Sequence, residues 1–134
     1  MIILDSSFII SSQIENDQNH QIASSLMEDI YNKRYGTPII SDYIFNETVT
    51  VLFTKLKDLN KTIKICEIIK KQKMRKVDRE IFDNAWQIFK EQKNTKLSFT
   101  DCTILAIMRN EGISNIATFD KDFKKIDGIN VIQN

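Results

Sequence analysis

The chain opens on four apolar residues, Met1-Ile2-Ile3-Leu4, that stop abruptly at Asp5. A short, uninterrupted apolar run of this kind reads as a strand buried on both faces. Such burial belongs to parallel sheets flanked by helices. Ile39-Ile40 repeats the pattern before Ser41 and Asp42, and Asn115-Ile116-Ala117-Thr118 repeats it before Asp120. Met74 to Val77 and Gly128 to Ile132 read as further short strands, the last at a sheet edge.

The segments between these runs have helical spacing. Ile22, Ala23, Leu26, Met27, Ile30 and Tyr31 form one apolar series, closed by Gly36 and Pro38. Ser41 and Asp42 are both competent caps for a helix carrying Ile44, Phe45, Val49, Leu52, Phe53 and Leu56. Ile63, Ile65, Cys66, Ile68 and Ile69 suggest another helix. Asp78 precedes a helix whose expected buried face holds Ile81, Phe82, Ala85, Trp86, Ile88 and Phe89. Ser98-Phe99-Thr100-Asp101 resembles a capping box, opening a helix with Ile104, Leu105, Ile107 and Met108 that ends near Gly112. Strands alternating with helices predict an α/β fold with a mostly parallel, short-stranded sheet covered on both faces. With 134 residues, no repeat and no linker, residues 1–134 read as a single domain.

Composition narrows the function classes. One Pro and three Gly among 134 residues, with 42% hydrophobic content, exclude a disordered chain. A net charge of +1 excludes general nucleic-acid binding through bulk charge, so affinity for RNA would require a local basic patch or metal ions. Cys66 and Cys102 read as buried free thiols. A zinc site lacks its ligands, because no CxxC is present and His20 is the only histidine. No segment approaches the ~20 apolar residues of a membrane span, and the N-terminus lacks signal-peptide character, so the expected location is the cytoplasm.

The acids are distributed in a way that suggests chemistry. Ligands of parallel sheets bind beyond the carboxyl ends of the strands, where Asp5 and Asp120 fall. Asp101 falls in a helix's first turn, and Glu47 falls early in the helix after the second strand. Clustered carboxylates raise one another's pKa unless cations compensate them. Oxygen donors without His or Cys suit Mg²⁺ or Mn²⁺, which support phosphodiester hydrolysis. Each acid also has a plain structural reading. Asp5, Asp120 and Asp122 suit turns, Glu47 a solvated helix face, and Asp101 the capping box alone.

Four segments together resemble the PIN domain family, and most closely its VapC-type toxin branch. They are Ile3-Leu4-Asp5-Ser6-Ser7-Phe8-Ile9, Ser41-Asp42 with Glu47, Leu97-Ser98-Phe99-Thr100-Asp101-Cys102, and Ala117-Thr118-Phe119-Asp120-Lys121-Asp122-Phe123. The last and the third are the most specific. The resemblance implies a three-layer α/β/α sandwich and metal-dependent endoribonuclease activity with Mg²⁺ or Mn²⁺. It implies that Asp5, Glu47, Asp101 and Asp120 bind metal and carry catalysis. Ser6 and Thr118 match nearby hydroxyl positions, and Asp122 matches a further acid common in relatives. A homodimer and a small antitoxin that inserts a side chain into the acidic pocket are also implied. Cys102 departs from the usual Ala.

Other features admit two readings. The basic run Lys70 to Lys76 suits RNA phosphates or a solvated connection. Phe45, Phe53, Phe82, Trp86 and Phe89 suit core packing, or a dimer or antitoxin groove, better than base stacking. His20 is expected at the surface near a helix start, which leaves no Ser-His-Asp or Cys-His catalysis. The competing functions are an RNA-processing PIN nuclease without an antitoxin, an inactive RNA-binding PIN domain, and a phospho-acceptor receiver module. A receiver would carry adjacent acids after the first strand, where Ser6 and Ser7 stand instead.

Overall fold

The computed structural model describes residues 1–134. In chain order the elements are β1 (Ile2–Leu4), α1 (Ser6–Gln13), α2 (His20–Tyr31), β2 (Pro38–Ser41), α3 (Asp42–Leu56), α4 (Leu59–Ile69), β3 (Lys73–Arg75), α5 (Arg79–Lys90), α6 (Phe99–Glu111), β4 (Asn115–Ala117), a 3₁₀ turn (Lys121–Lys125) and β5 (Asn130–Ile132). The five strands lie in the order β3-β2-β1-β4-β5, and every pairing is parallel. The sheet is thus wholly parallel, with helices on both faces in a three-layer α/β/α arrangement. Ile3 stands beside Ile39 on one side and Ile116 on the other. That central position explains why β1 has no polar face to alternate with.

The chain builds outward from β1 in two directions, first to β2 and β3, then to β4 and β5. The reversal leaves a crevice between β1 and β4, beyond their carboxyl ends. Asp5 follows β1 directly, and Thr118 follows β4 directly.

Local chemistry fixes the helix starts. Ser41 caps α3, its hydroxyl accepting from Ile44 N at 3.1 Å. Asp42, the other candidate cap, sits inside the first turn, and its carboxylate accepts from Val77 N at 2.9 Å, tying α3 to the end of β3. Asp58 and Asp78 cap α4 and α5. Ser98 and Asp101 form a complete capping box on α6, and Gly112 ends that helix at a φ of +67°. Gly36 is needed for a different reason: a Cβ there would lie 2.8 Å from the Met1 backbone nitrogen.

Residues Cys102 to Met108 of α6 are all buried, so this helix is wrapped by protein on all sides and reads as continuously apolar. α5 behaves differently. Its expected buried face is reduced to Ile81 and Ala85, with Ile88 partly buried. Phe82 and Phe89 are each 38% exposed and Trp86 is 50% exposed. Spacing shows that a helix has an apolar stripe, but only the width of the neighbouring element decides how much of it is covered. Here α6 covers one edge, and the rings pack on one another, Trp86 on Phe89 with centroids 5.5 Å apart and planes 10° from parallel. Phe53, Ile63, Ile68, Ile22 and Tyr31 are likewise exposed.

Smaller departures have local causes. The third strand runs Lys73–Arg75, not Met74 to Val77, because Val77 N is taken by Asp42. The last strand begins at Asn130, since Gly128 adopts a φ of +83°. His20, expected at the surface, is half-buried, with Nδ1 2.8 Å from the Ser11 carbonyl oxygen. Cys66 and Cys102 are buried free thiols, and burial pushes both thiol pKa values up, that of Cys102 to about 11. No helix is long and apolar enough to cross a membrane.

Candidate active site

Asp5 is the N-cap of α1 and is only 3% exposed. Three groups donate to its carboxylate. Ser6 N reaches Oδ1 at 2.8 Å, Ser7 Oγ reaches Oδ2 at 2.9 Å, and Thr118 Oγ1 reaches Oδ2 at 2.7 Å. Burial pushes its pKa up, the Thr118 and Ser7 hydrogen bonds oppose this, and the Glu47 charge adds to the rise. The net direction is upward, so three neutral donors do not replace the lost hydration of a buried carboxylate.

The same hydroxyls stitch the two halves of the sheet together. Thr118 Oγ1 accepts from Asp120 N at 3.0 Å, and Ser7 Oγ accepts from Phe119 N at 3.2 Å. Ser7 and Thr118 hydroxyl oxygens lie 3.3 Å apart. Ser7 was not among the residues singled out by sequence. In Asp-Ser-Ser either serine can face the acid, and the first turn of α1 divides the roles. Ser7 turns to Asp5, while Ser6 Oγ donates to Glu47 Oε2 at 2.7 Å.

Glu47 projects from α3 beside a shallow groove of about 330 Å³ lined by Tyr43, Asn46, Thr50, Val51 and Thr100. Asp101 Oδ2 accepts from Ser98 N at 3.0 Å as the reciprocal half of the capping box. Its pKa is pushed up to about 7, by burial first and then by the charge of Asp5, with Asp120 adding to the rise and Ser98 opposing it. One side chain therefore both completes the cap and stands in the field of Asp5 and Asp120. Asp120 Oδ1 caps the 3₁₀ turn, accepting from Asp122 N at 2.9 Å.

The charge of Glu47 acts on Asp5, and those of Asp5 and Asp120 act on Asp101, while none of the four belongs to any of the molecule's ion pairs. No three of them stand close enough to cage an ion unaided. The oxygen-only, uncompensated donor set still fits a hard divalent cation, because Mg²⁺ is often held by one or two carboxylates and keeps several waters. Asp122 is engaged elsewhere. Its carboxylate accepts from Lys96 N at 2.9 Å and pairs with Lys125 Nζ at 2.9 Å, which holds its pKa below the usual range.

The basic run divides. Lys70, Lys71 and Lys73 lie at or before the amino end of β3, opposite the strand ends that carry the acids. Arg75 is committed to Glu111 at 2.7 Å and Asp78 at 3.3 Å.

Comparison with known proteins agrees with the α/β/α fold. The chain is 24% identical over 147 aligned positions to Ribonuclease VapC6 of Methanocaldococcus jannaschii, covering 98% of this chain and 96% of that one. It is 25% identical to the 23S rRNA-specific endonuclease VapC20 of Mycobacterium tuberculosis, covering 92% of each. The crystal structure of M. tuberculosis VapC20, described as a Sarcin-Ricin loop cleaving toxin, superposes with a TM-score of 0.84 over 96% of this chain and 97% of that one, at 24% identity. VapBC2 from Rickettsia felis, solved with a promoter DNA fragment, superposes with a TM-score of 0.71 at 17% identity, over 98% of each chain. The PIN domain model matches residues 2–129. The chain belongs to the PIN domain family, and the relatives it resembles are of the VapC type.

Proposed function

We propose that this protein is an endoribonuclease that hydrolyses RNA phosphodiester bonds at the Asp5 pocket with the help of divalent metal ions, and that it is the toxin of a toxin–antitoxin pair. One observation carries the reading: Glu47, Asp5, Asp101 and Asp120 are linked in series by their charges beyond the strand ends, without a single cationic side chain paired to them. Asp5 and Asp101, supported by Glu47 and Asp120, would hold Mg²⁺ or Mn²⁺. When bound, such ions supply an activated water and charge compensation for a phosphodiester.

The chain's own groups set the geometry. Thr118 and Ser7 hold the Asp5 carboxylate in one orientation, and Ser6 holds Glu47. Ser98 fixes Asp101 through the capping box, so this acid stands on a rigid helix start. With its pKa near 7, Asp101 carries a proton part of the time at neutral pH and releases it readily to a cationic environment.

The partner reading draws on the VapC likeness and on the uncovered ring stripe of α5. Phe82, Trp86 and Phe89 form a contiguous apolar surface next to Phe99, two residues before Asp101. A homodimer interface there would cover the rings at the edge of the pocket, and a small antitoxin would close the pocket itself. The proposed site of action is the cytoplasm, with RNA as the substrate.

The test is cleavage of mixed cellular RNA by purified wild-type and Asp101→Asn protein, with Mg²⁺ or Mn²⁺ and then with chelator. The expected result is cleavage by wild type alone, lost on chelation. Equal cleavage by both proteins would sink the assignment of this pocket.

A further inference from the structure

We propose that a lysine surface formed by the α5–α6 connection and the 3₁₀ turn after β4 tracks the phosphate backbone of the RNA strand entering the Asp5 pocket. This rests on the ribonuclease reading above and adds the path of the substrate.

The argument begins with charge. Residues 90–97 and 121–125 carry six lysines against two carboxylates, Glu91 and Asp122, in a chain whose net charge is only +1. Tertiary contacts bring these two segments together. Lys96 N donates to Asp122 Oδ2 at 2.9 Å, and Lys125 Nζ donates to the Asn94 carbonyl oxygen at 3.1 Å while pairing with Asp122. Asp122 and Lys125 neutralise each other as the tether. Lys93, Lys96, Lys121 and Lys124 are exposed and belong to no ion pair.

Position then selects this surface over the other basic run. Lys121 is adjacent to Asp120, and Lys96 lies two residues before the Ser98 cap that fixes Asp101. Lys96 and Lys121 therefore stand beside the acids, whereas Lys70, Lys71 and Lys73 lie at or before the amino end of β3, and only Lys76 of that run lies past its carboxyl end. Between the two segments runs an open cleft of about 550 Å³, lined by Lys93, Lys125 and Arg109 against the single carboxylate Glu91, with Gln92 beside them over an apolar floor that includes Leu105. Gln92 is locked by accepting from Leu97 N and Thr95 Oγ1, each at 2.7 Å, so the connection holds a fixed shape. Unpaired ammonium groups carried on a connection of fixed shape, with Lys96 and Lys121 next to the acids in the chain, suit a polyanion whose scissile phosphate reaches those acids. An acidic protein segment would need no such placement.

The experiment separates binding from cleavage. In an Asp101→Asn background, a fluorescent single-stranded RNA is titrated against full-length protein at several salt concentrations. One variant carries Lys93→Gln, Lys96→Gln and Lys124→Gln. A control carries Lys70→Gln, Lys71→Gln and Lys73→Gln. The tethering Lys125 is left intact, and melting curves check that both variants fold. The first variant is expected to lose roughly ten-fold or more in affinity and about two units of log–log salt slope, given about 0.7 per phosphate contact. The control is expected to change less than about two-fold.

With Asp101 intact, the first variant should lose kcat/KM on RNA while kcat at saturation is kept. Equal effects of the two triples, or no effect of the first, would overturn the lysine path and leave the nuclease reading standing. Absence of RNA binding and cleavage by all proteins would overturn both. Binding of a polyglutamate peptide in place of RNA, lost in the first triple, would overturn the RNA path in favour of an acidic protein partner.

Discussion

The Thr118 hydroxyl donates to Asp5 Oδ2 at 2.7 Å across a separation of 113 residues. The same oxygen accepts from Asp120 N at 3.0 Å, so one threonine orients two acids of the pocket and joins β1 to the loop after β4. Because Thr118 is fully buried, Thr118→Val keeps its shape and removes both bonds. The expected cost is about 1–3 kcal/mol of stability, since a buried carboxylate loses a donor and an N–H loses its acceptor. Weaker divalent-ion affinity should accompany it. Urea unfolding with and without Mn²⁺ measures both, and unchanged ion affinity would show that Thr118 only packs.

Asp101 gives a pH signature to the metal-free protein. Its pKa is about 7 in the folded state and near the ordinary 3.8 when unfolded. The folded state therefore holds more protons across that window, and stability falls as pH rises from about 4 to about 7. Asp5 is shifted in the same direction. Asp101→Asn should remove its own share of the slope, leaving that of Asp5, and stabilise the chelated protein at pH 8 by on the order of 2 kcal/mol, while abolishing cleavage. Unfolding curves in chelator at pH 5 and pH 8 test this; a variant less stable than wild type at pH 8 would contradict the strained-acid account.

The capping box offers a second handle on the same acid. Ser98→Ala removes the acceptor for Asp101 N, 3.1 Å away, and should cost about 1 kcal/mol. RNA cleavage should fall more than this stability loss explains, because Asp101 loses the partner that fixes its turn. Cleavage at wild-type rates in a folded Ser98→Ala protein would show that the cap and the pocket are independent.

The exposed rings of α5 predict a change in assembly. Trp86 is 50% exposed and stacked on Phe89, so Trp86→Glu should fold normally while placing a charge in the proposed dimer face. Sedimentation should show a dimer for wild type at micromolar concentration and a monomer for the variant. Identical sedimentation of the two would remove this face from consideration.

Much of the fold is legible because it is encoded locally. The run Ile2 to Leu4 announces a buried strand, Ser98 and Gly112 bracket α6, and Asp78 marks the start of the helix that it caps. The acids Asp5, Glu47, Asp101 and Asp120 are legible by their place after strands and at helix starts. The resemblance to a known family adds to that placement. Asp122 shows where legibility stops: Lys125 three residues on is a local partner, but the Lys96 N–H that completes the tether is 26 residues away.

The sequence by itself therefore determined the order of elements, their caps and the positions of the acids, because hydrogen bonds within a turn and the periodicity of apolar residues act over a few residues. Tertiary structure alone decided that Ser7 faces Asp5 while Ser6 faces Glu47, that Arg75 is consumed by Glu111, and that the rings of α5 stay in solvent. It also set Lys96 of the α5–α6 connection beside Asp122 of the 3₁₀ turn, a meeting of two segments 26 residues apart. Those outcomes depend on which segments meet across the parallel sheet. Burial, pairing and field strength are properties of that meeting and not of any one stretch of chain.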